Sequence, residues 1–138
     1  MLVREIMTRK IDSIHPTATL RDAARKMRTL NTSSLPVVEN ARLIGIITDH
    51  DICCHGVADD FDPTLTQVRA LMSRDAVFCY SYDTVNDAAR QMEQRHVQQI
   101  PVLHSDKTLA GVLSVDAIAH FSHQLAGEVV ESMGHVQH

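Results

Sequence analysis

The segment Val3-Arg4-Glu5-Ile6-Met7-Thr8-Arg9 returns as Val68-Arg69-Ala70-Leu71-Met72-Ser73-Arg74, 65 positions later. At the same offset Thr19 meets Thr84, and Asp22-Ala23-Ala24-Arg25 meets Asp87-Ala88-Ala89-Arg90. Met27 meets Met92, and Pro36-Val37 meets Pro101-Val102. The second copy then carries one inserted residue, after which Gly45 aligns with Gly111 and Ile52 with Ile118. A unit this short does not close a core alone. The two copies are therefore expected to pack as a pseudo-symmetric pair, with the cleft between them as the natural place for function.

Each copy carries the same ordered signals. A short apolar turn around Met7 or Met72 is followed by a strand near residues 11–14, or 77–80. Leu20, Ala23, Ala24, Met27 and Leu30 then recur at helical spacing, as do Val85, Ala88, Ala89 and Met92. Thr19-x-x-Asp22 and Thr84-x-x-Asp87 resemble N-capping boxes, each with an acid in the first turn where the helix dipole favours it. Two apolar runs follow, at 35–38 and 43–48, and at 100–103 and 109–114. Polar turns separate them, and they read as buried strands. A second helix is expected from Asp49 and from Val115. The order is strand, helix, strand, strand, helix, twice: an α/β fold of two repeats. The boundaries follow as repeat 1 over 1–58, a connector over 59–66 containing Asp59-Asp60 and Asp62-Pro63, and repeat 2 over 67–121. A C-terminal helix extension and tail is expected over 122–138.

Composition narrows the function classes. Net charge is −4 and no Lys/Arg run occurs, so the electrostatic footprint of a nucleic-acid or anionic-membrane binder is missing. Aromatic residues make up 4% and Trp is absent, which disfavours base stacking on an aromatic platform. The opening Met-Leu-Val-Arg-Glu is too polar for a signal peptide, and no apolar run approaches membrane-spanning length. Three irregularly spaced Cys do not form a disulfide framework. A soluble cytoplasmic protein is the expectation.

The element order, the Val-Arg-x-x-Met opening, Leu35-Pro36-Val37-Val38 and Gly45-Ile46-Ile47-Thr48-Asp49-His50-Asp51-Ile52 together resemble a tandem cystathionine-β-synthase (CBS) domain pair, or Bateman module. The resemblance covers roughly residues 1–121 and is closest in kind to stand-alone bacterial versions, including hypoxia-response-type CBS proteins. It implies a regulatory module, not an enzyme, that binds an adenosine derivative between the repeats and requires no cofactor. It also implies a homodimer formed through the helices that follow each strand pair, to which residues 124–136 could add contacts, and a protein target that the sequence does not identify.

The resemblance assigns the ribose to Thr48 and Asp51. The chemistry suits it, because a carboxylate accepts hydrogen bonds from both vicinal hydroxyls with a Thr hydroxyl as neighbour. The competing reading is structural, since Thr-x-x-Asp before an apolar helix is also a capping box. Met72, Val77, Val97 and Gln98 are implied to surround the adenine, and core packing is the plain alternative for the apolar three. His50 and Gln99 are implied phosphate contacts. The positions before the strand prolines, where the family often carries cations, are Ser33-Ser34 and Gln98-Gln99 here. AMP, adenosine or S-adenosylmethionine therefore suits the site better than ATP. The second copy keeps a hydroxyl at Ser114 but has Ala117 where the acid would stand, with Asp116 one position early. The cleft of Ser114, Asp116, Ser33 and Ser34 is expected to be the weaker.

Two other functions compete. One is a ligand-free protein-interaction module in which Thr48 and Asp51 only cap. The other is a metal- or redox-responsive module using Cys53, Cys54 and His55. Nine His is a high count, and His120-x-x-His123 and His135-x-x-His138 have i, i+3 spacing. None of these groups has the paired-Cys spacing of a structural zinc site, and adjacent Cys point to different helix faces. No metal site is assigned. No Gly-x-Ser-x-Gly, P-loop or Gly-x-Gly-x-x-Gly occurs, and Cys79 in an expected strand is a structural thiol.

Overall fold

The computed structural model describes residues 1–9 and 12–121. Helix α1 (Leu20–Leu30) begins at Thr19, whose hydroxyl accepts the Asp22 N–H while the Asp22 carboxylate accepts the Thr19 N–H, a complete capping box. It ends at Asn31, which takes the left-handed conformation that Asn tolerates. Strands β1 (Ser34–Glu39) and β2 (Arg42–Thr48) form an antiparallel hairpin. A π-helical turn, Asp51–Val57, follows. In the second repeat, β3 (Cys79–Tyr80) precedes α2 (Val85–Arg95), β4 (Gln99–Leu103), β5 (Leu109–Ser114) and α3 (Val115–Phe121). Here β3 pairs parallel with β4, and β4 antiparallel with β5. Both hairpins shift register at the matching place, Val37/Val38 and Val102/Leu103.

Local structure departs from expectation in three places. The first strand of repeat 1 is reduced to one parallel bridge, Ile14 to Val37, in which Ile14 donates to the Pro36 carbonyl and accepts from Val38 N–H. The matching strand of repeat 2 is only two residues long. It stops at Tyr80 because the Asp83 carboxylate takes the Tyr80 N–H at 2.8 Å and a turn closes from Tyr80 to Asp83. The second helix of repeat 1 widens into the π-turn, bonded from residue i to i+5 at its end (Ala58 N–H to Cys53 C=O, 3.0 Å). The expected C-terminal helix extension, with His123, His135 and His138, lies outside the described residues.

The chain forms two compact units, and they are not the two sequence copies. One spans Asp12–Ala76; the other joins the N-terminal segment to the chain from Val77 onward. Each opening heptapeptide thus belongs to the unit built on the other copy. In the first unit Val68 N–H donates to the Ala18 carbonyl, and Ser73 exchanges backbone hydrogen bonds with Ile46 at 2.8 and 2.9 Å. In the second, Val3 N–H donates to the Asp83 carbonyl, and Thr8 exchanges bonds with Val112 at 2.9 and 3.0 Å. Gly45 and Gly111 make these bridges possible. A Cβ on Gly45 would lie 2.7 Å from the Ser73 carbonyl oxygen, and one on Gly111 would run into that of Thr8. Each unit has its own core. Met27, Leu35, Val37, Ile47 and Val68 anchor one, and Val3, Met92, Ile100, Leu113 and Ile118 the other.

Candidate functional site

Strand β2 ends at Thr48 and the chain turns at once into helical conformation. At this junction Thr48 Oγ1 accepts the Asp51 N–H at 3.0 Å, and Asp51 Oδ2 accepts the Thr48 N–H at 3.0 Å. The reciprocal pair fixes the carboxylate at the end of the strand, half-buried. The cap is therefore real, and it uses one carboxylate oxygen. Among the described residues, Oδ1 carries no hydrogen bond. A carboxylate offers about four lone-pair sites, so holding the cap leaves capacity for a ligand.

Antiparallel pairing decides the neighbours of this junction. Ser34 stands opposite Thr48, and the Ser33 carbonyl accepts the Asp49 N–H at 2.9 Å. Ser33 and Ser34, grouped with Ser114 in the sequence reading, thus lie beside Thr48 and Asp51 in their own hairpin. Repeat 2 reproduces the layout: Gln99 stands opposite Ser114, the Gln98 carbonyl accepts the Val115 N–H at 2.9 Å, and Ser114 Oγ accepts the Ala117 N–H at 3.2 Å. Ala117 has no carboxylate to return the bond, and Asp116 is exposed. Met72 is buried in the core of the Asp12–Ala76 unit with its Sδ over Gly45. Val77 and Val97 pack, partly buried, against the core of the other unit, to which the exposed Gln98 and Gln99 also belong.

The side chains after Asp51 regroup relative to the sequence reading. His55 sits with His50 and Asp51, their ligand atoms within 4.8 Å of one another, rather than with Cys53 and Cys54. The His50 and His55 rings meet edge to face with centroids 5.9 Å apart. The π-turn sets this geometry, which a regular helix at this place would not give. Cys53 and Cys54 are exposed free thiols. Desolvation first, and then Cys53, push the Cys54 thiol up, away from the thiolate a metal or nucleophile requires. Burial first, and Asp83 second, push the buried Cys79 thiol up to about 12. No described helix is long and apolar enough to cross a membrane.

The family model for the CBS domain matches residues 3–55 and again 68–124, most of the chain and both repeats. The chain belongs to the CBS domain family. Its α/β architecture is that of a two-repeat CBS module. A curated relative, the CBS domain-containing protein YhcV of Bacillus subtilis (strain 168), is 28% identical over 135 residues, covering 96% of this chain and 95% of its own length. A homoserine O-acetyltransferase of Methanobrevibacter ruminantium is 31% identical over 120 residues, 86% of this chain but only 24% of the relative. The CBS chain thus spans about a quarter of that enzyme's length.

Three solved CBS structures share the fold. Hypoxic Response Protein I, solved with two coordinated zinc ions, has a TM-score of 0.79 and 26% identity, covering 87% of this chain and 98% of its own. The CBS domain pair of protein MJ0100, in complex with 5′-methylthioadenosine and S-adenosyl-L-methionine, has a TM-score of 0.75 and 22% identity, covering 90% and 97%. CBSX2 in complex with AMP has a TM-score of 0.77 and 20% identity, also covering 90% and 97%.

Proposed function

We propose that this CBS chain is a regulatory module that binds an adenosine-containing ligand through Thr48 and Asp51. The observation that carries the reading is the reciprocal Thr48–Asp51 pair, which fixes a half-buried carboxylate and leaves Oδ1 free. The vicinal hydroxyls of a ribose are two donors at the spacing one carboxylate can accept. Thr48 Oγ1 already accepts one backbone N–H, so its own O–H is available to donate to a ribose oxygen. The adenosine ligands of the MJ0100 pair and CBSX2 support the ligand class.

The two repeats are unequal in this reading. Ser114 lacks an acidic partner at position 117, so the copy 2 junction offers a hydroxyl without a carboxylate and is the weaker site. The serines at the β1 entrance supply no cation for a phosphate chain, which favours AMP, adenosine or S-adenosylmethionine over ATP. Ligand binding acts by stabilising one conformation of the module over another, which a protein target then reads. Assembly as a homodimer accompanies the proposal, and sedimentation of the purified chain at twice 15.4 kDa would support it, whereas a monomer would remove it.

Calorimetric titration tests the function. AMP and S-adenosylmethionine are titrated into wild type, Asp51→Asn and Asp116→Asn. The proposal expects binding that Asp51→Asn weakens by roughly tenfold or more, the value of one charged hydrogen bond, and that Asp116→Asn leaves unchanged. Absence of binding by wild type, or equal binding by Asp51→Asn, contradicts it and leaves Asp51 as a cap.

A further inference from the structure

We propose that His50, Asp51 and His55 form a binding site for a divalent transition-metal ion of the zinc class. On a regular α-helix, residues five apart diverge by about 140° around the axis and could not share an ion. The π-turn narrows that divergence, because its hydrogen bonds span five residues rather than four and bring residue 55 back toward the side of residue 50. Two imidazoles and one carboxylate consequently converge, with one ligand atom from each within 4.8 Å of the others. A tetrahedral zinc ion with bonds of about 2.0–2.1 Å needs ligand atoms roughly 3.3 Å apart. Both His side chains are exposed, so small rotations about their own bonds close the remaining gap.

The ligand chemistry is consistent at every position. Imidazole and carboxylate suit zinc and its neighbours, and three protein ligands leave a fourth position open. Asp51 is oriented from behind by the Thr48 N–H on Oδ2, the kind of outer hydrogen bond that holds a metal-binding carboxylate in place. Gly56 seats the turn, since a Cβ there would come within 3.1 Å of Leu20 Cδ1 on α1. Repeat 2 has none of this: Asp116, Ala117 and Phe121 occupy the matching positions on α3. The metal site belongs to repeat 1, the repeat that also carries the stronger ribose site. It is independent of the adenosine reading except that both use Asp51.

The test titrates Zn²⁺ into the chelator-stripped full-length chain, comparing wild type, His55→Gln, His55→Ala and the Cys53→Ser/Cys54→Ser pair. Circular dichroism confirms that each is folded. The proposal expects one equivalent to bind wild type at micromolar or tighter affinity, to weaken at least tenfold in both His55 variants, and to persist in the Cys pair. Co²⁺ in place of zinc should give visible d–d bands in wild type without a thiolate charge-transfer band. No binding tighter than millimolar, unchanged affinity in the His55 variants, or loss in the Cys pair would each overturn it. AMP titration of metal-free His55→Gln separates the two readings. Retained AMP binding with lost zinc is the expected pattern, while a chain that binds zinc through His55 but not AMP sinks only the adenosine proposal.

Discussion

Asp51 carries three demands on one carboxylate: it closes the cap after β2, and it is the proposed ligand for both a ribose and a metal ion. The cap alone makes Asp51→Ala cost about 1 kcal/mol of stability, read from urea melts without ligand. Ala41 shows a different economy. It and Asn40 both have positive φ, 66° and 54°, at the centre of the β1–β2 turn. This conformation is one in which Gly is at ease and Ala is strained. Ala41→Gly should therefore raise stability by about 0.5–1 kcal/mol, with no change in ligand affinity, measured by the same melts. Cys79 gives a pH signature. Its thiol stays protonated to about 12 when folded, but ionises from 9.0 at an ordinary site. Above pH 9 the unfolded state then binds fewer protons, so this contribution is intact below that pH and is lost as pH rises toward 12. Urea melts of wild type and Cys79→Ala at roughly pH 8 and roughly pH 10 should show the steeper alkaline loss in wild type. A native-state thiol reagent near neutral pH should modify the exposed Cys53 and spare Cys79.

At the scale of elements, the two glycines within β2 and β5 explain why the opening heptapeptides recur. The Ser73 carbonyl lies against Gly45, and that of Thr8 against Gly111, at separations no side chain tolerates. Gly45→Ala and Gly111→Ala should each cost about 1–3 kcal/mol, the usual penalty for forcing a methyl into a packed site. Thermal melts showing either substitution to be neutral would mean the bridge is dispensable. The helices and hairpins were legible because their signals are local. Thr19 and Thr84 cap where a hydroxyl three residues ahead of an acid suggests, and Pro36-Val37 and Pro101-Val102 sit in buried strands. The single inserted residue of copy 2 falls in the β4–β5 connection, where loop length costs little. The π-turn was not legible, since its apolar pattern around Ile52 also fits an α-helix, and only the backbone bonding distinguishes the two.

For the whole molecule, the repeat correctly announced two related units and the family to which they belong. It did not say which chain segments build each one. An offset aligns Met7 with Met72, but nothing in the alignment shows that Ser73 bridges to Ile46 while Thr8 bridges to Val112. That exchange depends on pairings between distant segments, which have no local signature. The site divides in the same way. Thr48 and Asp51 were readable as residue types at a junction. The placing of Ser33 and Ser34 beside them came from strand register, and the company kept by His55 came from the π-turn.

The central claim is that Asp51 recognises ribose hydroxyls, and a two-by-two titration tests it most directly. AMP and 2′-deoxy-AMP are titrated into wild type and Asp51→Asn. If the carboxylate accepts from the hydroxyl, wild type should prefer AMP by roughly tenfold or more, and the variant should lose most of that preference. Equal discrimination by both proteins, or none by either, would contradict the account and leave Asp51 with only its cap.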